Sequence, residues 1–351
     1  MRTSHLMYLA LACSACLISC SSKAANIVPA QAAQAGADYS PRTVRAAPKY
    51  SVTALPAGFT PVALNNSAAV AGESTAGPAI YRNGALTSLA PSGEVTGMND
   101  RDDVVGYGSD GPTLWRNGAA LRLASPSPVQ EVNAAGQIND RGQIDGIIDG
   151  NFNYGDGELS GEVVFLSPSA APVSLGLSGE GVPLSLNDKG QVAGYLRSAP
   201  YGPYENSAFL YGGAKGCTTS ATHGAYNSED FGLTNRGNVI EQYNNGMYVF
   251  CKGSKAFVLS GTPIADNNDD FIVGSENGSG GTTDAFIRFP HGKYYDLNAL
   301  VPAGTPHLQS AFAINGKGDI LAAAASASSS NGLAYYLLRP DGPQCFIRSA
   351  Q

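Results

Sequence analysis

Residue types that do chemistry are sparse beyond position 20. The histidines there are His223, His291 and His307. No two of them stand at a metal-ligand spacing, none belongs to an H-E-x-x-H pattern, and no G-x-S-x-G pentapeptide offers a hydrolase nucleophile. Arg197, Tyr201, Tyr204 and His223 are residue types a lyase uses, but no spacing ties them together. Asp149, Asp156 and Glu158 carry oxygens that a hard cation takes, at a spacing unlike an EF-hand loop. The acidic run from Asp266 to Asp270 reads as turn chemistry. No metal site and no cofactor is expected. Paired carboxylates for glycoside hydrolysis need only be close in space, so a carbohydrate-active enzyme, lyase or glycoside hydrolase, stays open as the alternative reading.

Tyr is the main aromatic residue, 17 copies against one Trp. Two stretches gather aromatics among Asn, Gly and acids: Ile147 to Gly161 and Tyr195 to Asn206. Rings that stack beside hydrogen-bonding neighbours suit a sugar or a peptide. Phe152, Tyr154, Tyr195, Arg197, Tyr201 and Tyr204 are therefore the candidate ligand-binding residues. The same rings also suit packing within their own loops.

The elements that must position them come from a repeat. An apolar residue, Asn, two polar residues and then Gly or Asp precede an apolar stretch. The pattern recurs with its Asn position at 65, 99, 139, 187, 234, 267 and 315, in steps of 34, 40, 48, 47, 33 and 48. The fifth copy has Thr234 in place of Asn, and the first lacks the Gly. Asn and Asp bond their own backbone and Gly accepts positive φ, so each copy predicts a hairpin. A third apolar stretch follows each hairpin, for example Thr113-Leu114-Trp115. A second tight turn such as Asn117-Gly118 then leads to a fourth.

Seven four-stranded meanders of about 42 residues match the blades of a β-propeller. The expected fold is all-β: a single propeller of seven blades over residues 48–351, its ring closed by the N-terminal strand Tyr50–Leu55 rather than by Cys345–Arg348. An open solenoid is the competing architecture. The long second-to-third connections lie at the end away from the Asn turns, and loops on a rigid scaffold are where binding usually sits. Ser207-Ala208-Phe209, Asp284-Ala285-Phe286 and the segment Asp296 to Pro302 resemble the HAF-type extracellular repeat family, although the His of its triplet is missing. The resemblance covers about residues 48–340. It implies a repeat fold outside the cytoplasm and no established activity.

Composition narrows the function classes. Gly and Pro make up 64 of 351 residues, charged residues only 14%, and the net charge is −7. Coiled coils and bundles need far more charge and far less Gly. With no basic run, nucleic acid is not an expected partner.

Residues 1–19 carry Arg2 and a 13-residue apolar run, Leu6 to Ile18, too short to span a bilayer, and read as a signal peptide. Leu17-Ile18-Ser19-Cys20 resembles the bacterial lipobox. That resemblance implies cleavage before Cys20 and lipid on its thiol. Ser21 after the Cys favours the outer membrane, with the ring facing the periplasm or the cell surface. Residues 20–47 form the lipidated end and an Ala-, Ser- and Pro-rich tether. The expected protein is a non-catalytic binding or scaffold lipoprotein, its partners a membrane through the lipid anchor and a glycan or envelope protein. Cys217 and Cys251 fall near the short-turn face of adjacent units, which predicts a disulfide in an oxidising compartment. Cys345 is left over.

Overall fold

A computed structural model describes residues 49–341, apart from 90–92, 109–110, 124–131, 154–157, 178–180, 198–205, 213–230, 236, 244–245, 251–260, 268, 279–280, 291–293, 328 and 330. Within those residues the protein is all-β. Every strand pairing is antiparallel, and the helical content is one 3-10 turn, Leu297–Ala299.

The strands follow the repeat. After β1 (Tyr50–Ala54), one sheet holds β2 (Thr60–Leu64), β3 (Val70–Ser74), β4 (Gly77–Arg82) and β5 (Ala85–Ser88) in chain order. The next holds β6 (Gly93–Met98), β7 (Val104–Gly108), β8 (Gly111–Arg116) and β9 (Ala119–Arg122). The third copy gives β10 (Val132–Ile138), β11 (Ile144–Asn153), β12 (Glu158–Leu166) and the short β13 (Val173–Ser174). One residue pair, Gly161 with Gly181, joins β12 to the fourth copy, β14 (Gly181–Leu186), β15 (Val192–Arg197) and β16 (Asn206–Tyr211). The fifth copy shows β17 (Phe231–Leu233), β18 (Val239–Tyr243) and β19 (Gly246–Phe250). The sixth has β20 (Gly261–Asp266), β21 (Ile272–Asn277), β22 (Thr283–Arg288) and β23 (Tyr294–Asp296). The last has β24 (Leu308–Ile314), β25 (Ile320–Ala325) and β26 (Leu333–Pro340), and β1 pairs along β26 from Tyr50 opposite Pro340 to Ala54 opposite Tyr336.

One expectation changes. The stretch Ile147 to Gly161 is mostly strand, because β11 runs on to Asn153 and pairs with β12 from Glu158 onward. A register shift between Ile148 and Asn151 bends this longer hairpin, as a bulge does.

The hairpin turns explain the motif. In each copy the N–H of the Asn position donates to the carbonyl four residues on, and its own carbonyl accepts from the N–H three residues on, as with Asn139, Gln143 and Gly142. The residue three after Asn then has positive φ: Ala68, Asp102, Gly142, Gly190, Gly237, Asp270 and Gly318. That is the three-residue hairpin loop whose last residue is left-handed, which is why Gly recurs there. Asn83-Gly84 and Asn117-Gly118 both have positive φ, the signature of a two-residue type I′ turn.

Glycine is required at a second place for a different reason. The first strand of several copies bulges, and a Cβ on Gly106 would lie 1.9 Å from the carbonyl oxygen of Glu94 across that bulge.

The core lies between neighbouring copies. Ala69 and Ala71 pack with Val95, Met98, Val104 and Trp115 of the next copy. Val105 and Leu114 pack with Ile138, Ile144 and Val164 of the one after. Tyr50 of β1 is buried among Phe271, Ile287, Leu308 and Leu338. Outer strands β5 and β9 are exposed throughout.

Candidate functional site

The turns meet at a hub. The side-chain amide of each Asn donates to the main-chain carbonyl at the same position of the next copy. Asn65 bonds Asn99 at 3.3 Å, Asn99 bonds Asn139 at 3.1 Å, and Asn139 bonds Asn187 at 2.9 Å. Asn187 bonds Thr234 at 2.8 Å, Asn267 bonds Asn315 at 2.9 Å, and Asn315 bonds Asn65 at 2.8 Å. The Oδ1 of each Asn meanwhile accepts from the N–H groups two and four residues on, such as Arg141 and Gln143 for Asn139. Asn is the residue type that offers an acceptor and a double donor on one short stem. These amides are buried, so each bond replaces one that water would have made. Thr234 has a hydroxyl that accepts from the Asn238 N–H.

A second set of bonds runs beside the first. In five copies the N–H after the Asn donates to the side chain one position after the next copy's Asn position: Asn66 to Asp100 at 2.6 Å, Asp100 to Asp140 at 2.8 Å and Asp140 to Asp188 at 2.9 Å. Asp188 continues to Asn235 at 2.7 Å, and Gly316 donates to Asn66 at 2.7 Å. Three successive carboxylates therefore share one rim. Burial pushes Asp140 up to about 6 against the N–H bond from Asp100, and the charges of Asp188 and Asp100 add to the rise.

These turns surround a cavity of ≈ 200 Å³. Its wall includes the residue just before Asn in every copy: Leu64, Met98, Ile138, Leu186, Leu233, Asp266 and Ile314. Asp266 is the one acid at a position that is otherwise apolar, where side chains such as Met98, Ile138, Leu233 and Ile314 are buried in the cores between copies. It is the last residue of β20 rather than part of the turn, which corrects the reading of the run from Asp266 to Asp270 as turn chemistry throughout. Its Oδ2 is shielded from water and has no hydrogen-bond partner. Burial, with the charge of Asp270 added, pushes it up to about 8.

A second buried acid stands behind the hub. Asp145 on β11 is fully buried, at the strand position where other copies have Ala71, Val105, Ala193 and Val273. Its Oδ1 accepts from the N–H of Gln137, its Oδ2 has no partner, and burial pushes it up to about 7. Gly136 makes room for it, since a Cβ there would lie 2.4 Å from Oδ1. Both acids were visible in the aligned copies as an Asp where the repeat is otherwise apolar. The far end of the sheets carries a third feature. Glu73 at the end of β3 is pushed up by burial and by the charge of Glu94, and its Oε1 lacks a partner.

The residues expected to bind ligand are placed as follows. Tyr195 is in β15, 2% exposed, packed with Ala193, Leu233 and Val239. Phe152 and Arg197 hold strand positions opposite Leu159 and Asn206, at the end away from the Asn turns. Tyr154, Tyr201 and Tyr204 lie outside the described residues, as do Cys20, Cys217, Cys251 and Cys345. Among the described residues no set of His, Cys, Asp and Glu comes together as a metal centre, and no helix is long and apolar enough to cross a membrane.

No family model matches the chain, and no curated protein matches it. Solved structures do. A lectin from Burkholderia pseudomallei is 15% identical and superposes with a TM-score of 0.40 over 84% of this chain and 98% of the lectin. A protein assigned as a gluconolactonase is 12% identical, with a TM-score of 0.38 over 83% of this chain and 92% of that one. A Thermus thermophilus protein assigned as a glucose dehydrogenase-type oxidoreductase is 12% identical, with a TM-score of 0.37 over 82% and 99%.

Proposed function

We propose that residues 48–351 form a seven-bladed β-propeller closed by β1, and that the chain is an extracytoplasmic binding or scaffold protein held at the outer membrane by lipid on Cys20. The observation that carries the ring is the amide ladder: a row of turns ending in two free units has no use for a bond from Asn315 back to Asn65. The pairing of β1 with β26 supports the same closure, since it covers an edge that an open sheet would expose.

The hub supports a frame rather than a reaction centre. Its Asn amides, and the carboxylates of Asp100, Asp140 and Asp188, are engaged with main-chain groups of the neighbouring copy. A rigid frame leaves recognition to the far end, where Phe152 and Arg197 stand and where the segments with Tyr154, Tyr201 and Tyr204 connect. The ligand class we assign there is a glycan, with an envelope protein as the second candidate.

A glycan array probed with the detergent-solubilised full chain, beside the Tyr201→Ala/Tyr204→Ala double variant, tests the assignment. Binding by the first and loss in the second supports it. Equal signals from both, or silence from both, removes the glycan. Mass spectrometry of the wild type and of Cys20→Ser tests the anchor: acyl mass on the first only is expected.

One observation favours a second reading, a carbohydrate-active enzyme. At the far end burial and the charge of Glu94 raise Glu73, and a carboxyl raised beside a second carboxyl is how glycoside hydrolases divide acid and base roles. Cleavage of any arrayed glycan, abolished in Glu73→Gln, would replace the binding reading by this one.

A further inference from the structure

We propose that the third turn holds a proton-operated clasp: a proton between Asp140 and Asp100 ties the hub together, and its loss loosens the joints of the third copy with the second and the fourth. The residue after the Asn position is Asn66 in the first copy and Asn235 in the fifth. Asn66 sends its amide to Oδ2 of Asp100 at 2.6 Å, and Asn235 sends its amide to Oδ2 of Asp188 at 2.6 Å. Asp100 and Asp188 are thus each served by one amide and one main-chain N–H. Asp140 stands between them. It accepts the N–H of Asp100 at 2.8 Å and has a carboxyl group on either side. An ionised carboxylate only accepts, whereas a protonated one also donates. The Asp140 and Asp100 side chains are in hydrogen-bond contact. Asp140 can therefore do for Asp100 what Asn235 does for Asp188, but only while it carries a proton.

Cations stand on the same turns. Arg141 on the third turn and Lys189 on the fourth are exposed. Arg101 of the second turn extends over Gly142, with its Nε 3.4 Å from Asp103, a carboxylate it shares with Arg116. Asp102 of that turn is paired with Arg82. Asp266 lines the cavity from the sixth copy, its Oδ2 shielded from water. Burial first, then the charges of Asp188 and Asp100, oppose ionisation of Asp140, and together they outweigh the N–H bond that favours it. Between 3.8 and about 6 the folded chain keeps a proton that the unfolded chain has released. The clasp is therefore complete at low pH and is lost as pH rises towards 6. Above that, three neighbouring carboxylates are charged with no donor between them. The hub is tightest in acid. This device rests on the hub turns alone and is tested independently of the proposed glycan loops.

The experiment is residue-resolved hydrogen exchange of the detergent-solubilised full chain between pH 4.5 and 7.5, corrected for the intrinsic pH dependence of exchange, beside Asp140→Asn and Asp188→Asn. The readout is the protection of the N–H groups of Asp100 and Asp140, which cross the two joints. In wild type their protection should fall about tenfold or more through a midpoint near pH 6, tenfold being the factor that one pH unit of proton linkage carries. Asp140→Asn has a donor at every pH and is the residue type that the first and fifth copies use at this place, so its protection should stay high and flat. Asp188→Asn removes one neighbouring charge, so its midpoint should move to lower pH. Asp145 and Asp266 are also raised, but they are common to all three chains, so the comparison isolates Asp140. The proposal is overturned if wild-type protection is flat over this range, if Asp140→Asn loses protection as wild type does, or if Asp188→Asn leaves the midpoint where it was.

Discussion

The side-chain amide of Asn315 donates to the main-chain carbonyl of Asn65 at 2.8 Å, across 250 residues of sequence. It repeats the bond that Asn99 makes to Asn139 and Asn139 makes to Asn187. The last copy of the motif therefore treats the first as its next neighbour.

The ladder predicts a large effect from one small side chain. Asn139→Ala removes the donor to Asn187 and strands the N–H groups of Arg141 and Gln143. The expected loss is about 2–4 kcal/mol, since buried groups left unpaired cost about 1–3 kcal/mol each. Asn139→Thr should lose less, because a hydroxyl can take one N–H as Thr234 does. Urea unfolding of the two variants checks both the size and the order.

Ala68 gives a gain. It sits at φ 58°, where four other copies have Gly. A left-handed conformation costs an L-residue about 1–2 kcal/mol. Ala68→Gly should stabilise by about 1 kcal/mol, less whatever Gly adds to unfolded-chain freedom. A lower melting temperature in the variant would contradict this account of the turn.

Tyr50 separates ring from hydroxyl. The ring is fully buried where β1 meets β26, but the hydroxyl has no partner, and burial with the charge of Asp319 holds its proton on. Tyr50→Phe should therefore be neutral or stabilising. Tyr50→Ala should cost about 3–5 kcal/mol, the range for emptying an aromatic site in a core. Thermal melts that rank Phe below Ala would remove β1 from the core.

Asp145 sets a pH dependence. Burial raises it from 3.8 to about 7. Between those values the folded chain keeps a proton that the unfolded chain has released, so this stabilisation is full at low pH and is lost as pH rises towards 7. Asp145→Asn stays neutral throughout and keeps an acceptor for Gln137. Its advantage over wild type should grow from pH 5 to pH 8 by a few kcal/mol. A constant gap would show that Asp145 ionises normally.

Much of the frame was legible because its turns are local. Asn at the hairpin, Gly three residues later and Asn117-Gly118 each state a backbone geometry within a few residues. The pairing of β1 with β26 was reached by counting strands. The ladder itself was not legible, because a recurrent Asn explains its turn without any neighbour. Asp266 was misread for a related reason: next to Asn267 it looks like turn chemistry, although the aligned copies hold an apolar residue at its position. Tyr195 was read as a loop aromatic because the end of β15 depends on its pairing with β16, which sequence periodicity does not mark.

The pairing of β1 with β26 also has a mechanical side. Tyr50 opens β1, and 49 residues of the chain precede it. A pull from that direction is delivered to the sheet that pairs the first and last described strands. Pulled across the strands, the bonds would yield one pair at a time from Tyr50 and Pro340; pulled along them, all five pairs would share the load. The strength of the joint thus depends on the angle of the pull, and the main-chain bonds from Asp341 to Lys49 and from Tyr50 to Leu300 are the first to take it.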